Sequence, residues 1–384
     1  MGGPAMGRWS ERFARMALSC VVDGGEPEAA ELAQRVGPQA AWAKIGEGAL
    51  GEPLARRAAA TDLELVQRLA ARSTVRFVVP GDEEWPEGLD DLVAVAPIQR
   101  RGGVPFGLWL RGPGHLAALA ARSVAVVGSR AATAYGNGVA TDLGAELAES
   151  GVTVVSGLAF GIDAAAHRGA LAVGGPTVGV VANGVDVAYP PGNAPLHEVL
   201  AREHLVVSEL PPGAHPTRIR FLARNRLIAA MARGTVVVEA ALRSGARNTA
   251  GWALECSRPL MAVPGPAHSR ASAAPHLMIR NGQAVLVCSA AEVLELVSVM
   301  GEHTVAAQQG PARSTDSLGE EESAVFEALP ARGRTPAGEV ALAAGVSMPT
   351  CLAALQALED RGLAEAVDGG WRAVPVSALT RVSR

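Results

Sequence analysis

Lysine is almost missing from this sequence: of 34 basic residues, 33 are arginine and only Lys44 is lysine. Cysteine is scarce and scattered. Cys20, Cys256, Cys288 and Cys351 form no CxxC pair and have no histidine at metal-ligand spacing. Such cysteines read as buried small hydrophobes or free thiols, with no metal site. No run of about 18 apolar residues occurs, so no transmembrane helix is expected. The apolar stretch from Met16 to Val22 is too short for a signal peptide and lacks a small-residue cleavage site. The expectation is a cytoplasmic protein with no membrane contact. Disorder is excluded by what is present: 49% hydrophobic residues against 19% charged, over 384 residues, enough for two or three cored domains.

Net charge is −4, so the chain taken whole is no basic nucleic-acid binder. Its arginines are not evenly spread. Between Pro216 and Asn248 lie Arg218, Arg220, Arg224, Arg226, Arg233, Arg243 and Arg247, against the single acid Glu239. A GC-rich genome is the bland source of the arginine bias. Whatever its source, each basic site is a planar fork suited to phosphate, and a concentrated patch matters more than the sum.

Residues 1–75 read as a small helical domain with nearly balanced charge. Ala29–Val36 and Asp62–Arg72 have apolar positions at helical spacing, the second with Thr61 as N-cap. Residues 76–122, rich in Gly and Pro, read as a connecting segment that packs on the central domain, with strand candidates at Val75–Val79 and Phe106–Leu110. From Ser123 to residue 300, short apolar runs (Val124–Val127, Val152–Val155, Thr177–Val181, Leu205–Val207, Thr235–Val238, Leu260–Val263, Ala284–Val287) alternate with helical stretches. Strands buried on both faces and separated by helices predict an α/β, doubly wound, mostly parallel sheet. Residues 301–319 form a polar linker. Residues 320–384 predict three helices and a Gly-turned hairpin, the pattern of a winged helix.

Distinctive loops succeed the strands of the central region: Gly128-Ser129-Arg130, Ser156-Gly157-Leu158-Ala159-Phe160-Gly161-Ile162-Asp163, Tyr189-Pro190-Pro191-Gly192, and Arg243-Ser244-Gly245. Glycine allows close backbone approach, and helix N-termini favour anions, so a phosphate-bearing ligand is implied. The GxGxxG and GxxxxGK[ST] signatures are absent, as is the PGGxGTxxE loop of the lysine-decarboxylase-like enzymes. The strongest stretch is Phe221-Leu222-Ala223-Arg224-Asn225-Arg226-Leu227-Ile228-Ala229. On a helix Phe221, Arg224 and Asn225 share one face. A ring to stack on a base, a guanidinium for phosphate and an amide for a base edge or sugar suit a nucleotide. The bland alternative makes Phe221 a core residue and Arg224 a helix–sheet ion pair.

Together these motifs, from Val124-Ala-Val-Val-Gly-Ser-Arg130 through Ser156–His167, Phe221–Ala229, Val236–Ala240 and Arg243–Ala250 to Ala262-Val-Pro-Gly265, resemble the DNA-processing protein A (DprA/Smf) family over about 175 residues. The resemblance implies an extended Rossmann-like domain that is not catalytic, binds single-stranded DNA and dimerises. It also implies loading of the recombinase RecA onto strands coated by single-strand-binding protein during natural transformation, with no cofactor. Carried over by motif, the DNA contacts are Arg130, Phe221, Arg224, Asn225 and Arg226. Ser129, Gly157, Ser244 and Gly245 add backbone or hydroxyl contacts, and Arg247 adds charge. The sequence departs from the family where Phe160 stands in place of the usual Arg, and where Ser269–Pro275 replaces a Gly-[Ser/Thr]-Asn turn.

Two rival readings are weighed against this one. The first, a nucleotide or sugar-phosphate hydrolase or transferase, would use Glu239 and Asp163, with His167 one helical turn beyond. The bland role for these three is structural: Asp163 ties its loop, His167 has a satisfied partner, and Glu239 bonds loop N–H groups. The second, a purely structural adaptor, would not need so many Gly-lined loops. Residues 320–384 carry nine acids and six arginines. Duplex binders spend basic residues on phosphates, so this module is expected not to bind duplex DNA strongly.

Overall fold

A computed structural model describes residues 10–72, 75–298 and 314–374. These divide into two compact units, one ending at residue 298 and one beginning at 314. Most of the expected linker, and residues 375–384, lie outside the described residues.

The first unit is organised by one nine-stranded sheet. Its strands are β1 (Val75–Val78), β2 (Leu108–Arg111), β3 (Ser123–Val127), β4 (Thr153–Ser156), β5 (Thr177–Val180), β6 (Leu205–Ser208), β7 (Thr235–Val237), β8 (Leu260–Ala262) and β9 (Val285–Leu286). Their spatial order is β1-β2-β6-β5-β4-β3-β7-β8-β9. The seven strands from β6 to β9 pair in parallel. Crossovers such as Ala134–Glu149, Ile162–Ala172 and Arg218–Met231 supply the helices that parallel pairing requires. The fold is therefore α/β and Rossmann-like, as the alternation of apolar runs and helices predicts. One difference lies in the connecting segment. Rather than only packing on the core, it adds β1 and β2 antiparallel to the edge of the same sheet.

The period of two in the strands decides which side chain enters which layer. Val124 and Val126 of β3 pack with Leu143, Leu147 and Ile162 on one face. Ala125 and Val127 pack with Leu227, Ile228 and Trp252 on the other. All four are essentially without solvent contact.

The N-terminal helices Glu11–Val21, Pro27–Val36, Pro38–Gly46 and Glu52–Ala60 share a core of Leu18, Val21, Leu32 and Ile45 that also takes in Phe106. The helix Leu63–Arg72 is preceded by Asp62, whose Oδ1 accepts the Leu65 N–H at 2.9 Å. Thr61, expected in that role, instead donates its hydroxyl to the carbonyl of Arg57. The carboxylate at 62 lies one residue nearer the exposed N–H groups and is charged, so it wins.

In the second unit the helices Glu320–Glu327, Ala337–Ala344 and Met348–Asp360 precede an antiparallel pair, β10 (Ala364–Val367) and β11 (Gly370–Ala373). This is the element order of a winged helix. Asp368 and Gly369 both have positive φ, as a tight two-residue turn demands. Val325, Val340, Leu355 and Leu358 form its core. No single helix among the described residues is long and apolar enough to cross a membrane.

His167 lies wholly buried between the helix Ile162–Ala172 and the sheet. Thr177 donates its hydroxyl to the carbonyl of Val154 and so accepts from His167 Nδ1 at 2.7 Å. Burial, reinforced by nearby His204, Arg224 and Arg168, holds the imidazole down to about 3. Its folded value lies below the unfolded one, so its stabilisation is complete above about pH 6.5 and is lost as pH falls toward 3. Unfolding free energy should therefore decline on acidification, by at most about 1.4 kcal/mol per pH unit from this group. Asp163, which burial pushes above its ordinary value, contributes with the opposite sign as pH falls toward that ordinary value. Urea melts at stepped pH should show a shallower decline in His167→Asn; an unchanged slope would place the acid sensitivity elsewhere.

Candidate nucleic-acid interface

In the parallel sheet the strand order reverses between β3 and β7, and ligands of such sheets bind outside the carboxyl ends of the strands at that crevice. A groove of about 1120 Å³ lies there. Its walls are the loop after β3, Ala159 after β4, Tyr189 beyond β5, the start of the helix Arg218–Met231, and, after β7, residues 241–245 with the first turn of the helix Ala246–Glu255. Five arginines line it (Arg130, Arg218, Arg224, Arg243 and Arg247) against one acid, Asp163. The local excess of positive charge seen along the sequence is thus gathered in one concavity.

The helix that carries Phe221 begins at Arg218. Thr217 caps it by accepting the Arg220 N–H on its hydroxyl. Phe221 is half-buried, and the exposed guanidinium of Arg130 lies over its ring, 4.5 Å from the centroid. Tyr189 approaches the same ring at 5.8 Å between centroids, tilted by 47°. The mouth of the groove therefore presents two aromatic rings and a free arginine fork, which is the equipment for base stacking and phosphate contact.

Arg224 is largely buried. Its Nη1 donates to the carbonyl of Gly157 at 2.8 Å and to that of Val180, capping the carboxyl ends of β4 and β5. Burial draws its pKa down to about 10, and Asp163 opposes that fall, so it stays charged at neutral pH. It lends the groove its field while its hydrogen bonds hold the scaffold. Asn225 accepts from Arg224 Nε and donates to Asn248 Oδ1 at 3.2 Å, tying its helix to the first turn of the helix Ala246–Glu255.

Ser129 and Gly245 line the groove, and Gly245 sits exposed at the start of the helix Ala246–Glu255. The buried Oγ of Ser244 has no hydrogen-bond partner in the protein. Arg247 is exposed and donates to the carbonyl of Leu242. Ser129, Arg130, Phe221, Arg224, Asn225, Ser244, Gly245 and Arg247 are all brought together here.

Two nominated residues are not. Arg226 is fully buried on the opposite side of its helix, in a two-pronged pair with Glu209 at 2.6 and 2.7 Å, with further bonds to the carbonyls of Gly103 and Ala223. Gly157 is buried too. Its N–H goes to Asp163 Oδ2 at 3.1 Å and its carbonyl to Arg224, so neither is open to a phosphate. A side chain at 157 would collide with the Arg224 guanidinium.

The groove also contains residues that sequence reasoning passed over. Arg218 lies three positions before Phe221, so helical spacing could have nominated it. Arg243 belongs to the same basic cluster. Tyr189 belongs to one of the distinctive loops, but its approach to Phe221 had no local signal, because that loop reaches the ring only in the folded chain.

The carboxylates of the enzymatic alternative are occupied. Glu239 is buried and accepts both the N–H and the hydroxyl of Thr133, at 2.9 and 2.6 Å. Asp163 accepts the N–H groups of Gly157 and Ala159. His167 turns to Thr177, so the pair at helical spacing forms no acid–base couple.

Comparison with known proteins gives the family. The family described as DNA recombination-mediator protein A matches residues 76–298. A Mycobacterium tuberculosis protein named putative DNA processing protein DprA is 45% identical over 371 residues, 94% of each chain. Protein Smf of Escherichia coli is 39% identical over 263 residues, 67% of this chain and 69% of its own. The X-ray structure of DNA processing protein A from Streptococcus pneumoniae superposes with a TM-score of 0.62 at 30% identity, covering 76% of this chain and 99% of that one.

Proposed function

This chain belongs to the DNA recombination-mediator protein A family, and on that premise we propose that it binds single-stranded DNA in the arginine-lined groove at the β3/β7 crevice. The observation that carries the reading is the mouth of that groove. Arg130 lies over Phe221 with Tyr189 beside it, and Arg218, Arg243 and Arg247 line the same concavity. Rings stack on any base and forks hold any phosphate, so binding tolerates sequence. A duplex hides its bases in the stack and gains nothing from the rings.

In this reading Arg130, Phe221, Ser129, Ser244, Gly245 and Arg247 touch the strand. Arg224 and Asn225 hold the groove in shape beneath them. The protein is cytoplasmic, acts as a homodimer without catalysis, and loads RecA on single strands covered by single-strand-binding protein during DNA uptake. The acidic C-terminal unit contacts protein rather than duplex DNA. Its third helix, Met348–Asp360, contains Glu359 and Asp360 and no basic residue.

Fluorescence anisotropy of labelled oligo-dT and a matched duplex at two salt concentrations tests this. Binding should prefer the single strand and weaken with salt, with a log–log slope of roughly −0.7 for each phosphate neutralised. Equal affinity for both forms, or no binding at low salt, would overturn the reading.

A further inference from the structure

Aromatic rings are few in this chain, and among the described residues only Tyr135, Phe160 and Tyr189 are exposed. Two of the three stand on the same rim. Phe160 is 48% exposed and comes directly after Ala159, which lines the groove; Tyr189 is 40% exposed and lines it directly. Each half-exposed ring leaves a π-face open on which an unpaired base can stack.

Phe160 is also seated. It immediately precedes Gly161, which starts the helix Ile162–Ala172 with a positive φ of 73°. Its ring lies against Gly192: a side-chain carbon there would come within 3.0 Å of Cε1 and Cζ. Gly192 and Tyr189 belong to the same short loop, Tyr189-Pro190-Pro191-Gly192. One loop therefore supports the Phe160 ring at one end and brings the Tyr189 ring to Phe221 at the other.

We propose that Phe160 is a second base-stacking position, outside the groove, reached from Phe221 by way of Tyr189, so that a single strand leaving the groove continues along this aromatic rim. The ligand class is an unpaired nucleobase, held by its π-face without charge. The inference rests on the single-strand reading above and adds to it a direction and a length. The groove binds the first nucleotides through arginine forks; the rim binds later ones through rings.

The test is a ladder of oligo-dT from about 6 to about 16 nucleotides, the range of site sizes for single-strand binders. It is run on the full chain and on Phe160→Ala and Phe160→Leu. Stacking is worth ~1–3 kcal/mol per base, so both variants should lose roughly 5- to 150-fold at the long end. The loss should shrink toward the short end, and the salt slope should stay unchanged because no charge is removed. Leucine restores bulk but not a stacking face, so its failure to rescue supports stacking over packing. An equal loss at every length, full rescue by leucine, or no loss at any length overturns the inference while leaving the groove reading intact. No binding of any oligonucleotide by the unaltered protein overturns both.

Discussion

Glu209→Ala should cost the protein about 3–5 kcal/mol of folding stability, among the largest effects of any single substitution here. The reason is not the strength of the Arg226–Glu209 attraction. Arg226 has no solvent contact, and both prongs of its guanidinium rest on the Glu209 carboxylate at 2.6 and 2.7 Å. Removing the carboxylate leaves a guanidinium in the interior with only the carbonyls of Gly103 and Ala223 to solvate it. Replacing both partners by apolar residues of similar volume should cost far less, because no charge is then stranded. Chemical denaturation of the parent and these two variants decides the matter. A loss in Glu209→Ala below about 1 kcal/mol would mean that the site relaxes or hydrates, and the account of Arg226 as a buried structural cation would fall.

Arg130→Ala combined with Phe221→Ala should weaken single-strand binding by on the order of 100-fold, with stability nearly untouched. Phe221 supplies a stacking face worth ~1–3 kcal/mol per base, and Arg130 a phosphate fork. The guanidinium lies over the ring at 4.5 Å, so the two residues couple and their single effects should not add. The salt slope should become shallower by roughly 0.7 when Arg130 goes and stay constant when only Phe221 goes. Arg224→Ala is a poorer probe of contact. It would strip the caps from the carbonyls of Gly157 and Val180 and strand Asp163, so its loss of binding would travel with a loss of folding. Measuring anisotropy and thermal unfolding on the same samples separates the cases. If the Arg130/Phe221 variant binds oligo-dT as the parent does, the strand takes another path.

The two effects lie on one helix, Arg218–Met231, and its geometry explains why. At about 100° per residue, Arg224 and Asn225 return to the face of Phe221, whereas Arg226 points roughly 140° away. A motif that strings Arg224-Asn225-Arg226 together therefore mixes two jobs. The first two residues look into the groove, and the third looks toward Glu209 and the N-terminal region, where Asp23 accepts from Arg220 at 3.0 Å and bonds Arg57 at 3.3 Å. Periodicity alone would have separated Arg226 from the others.

What the sequence determined by itself was the architecture and the neighbourhood of the site. Runs such as Val124–Val127 and Thr235–Val238 are apolar on both faces, and a strand buried on both faces has few folds open to it. The glycine loops that come after them must then meet at the carboxyl ends, with the arginines between Pro216 and Asn248 close by. What only the tertiary structure decided was how each polar group spends its hydrogen bonds. Gly157 has its N–H and its carbonyl taken by Asp163 and Arg224. Arg226 is claimed by a carboxylate 17 positions earlier, and Phe221 gains Tyr189 from a loop 32 positions away. Such choices depend on which partner arrives within about 3 Å once the chain is folded, and a side chain's type and local spacing do not encode that distance.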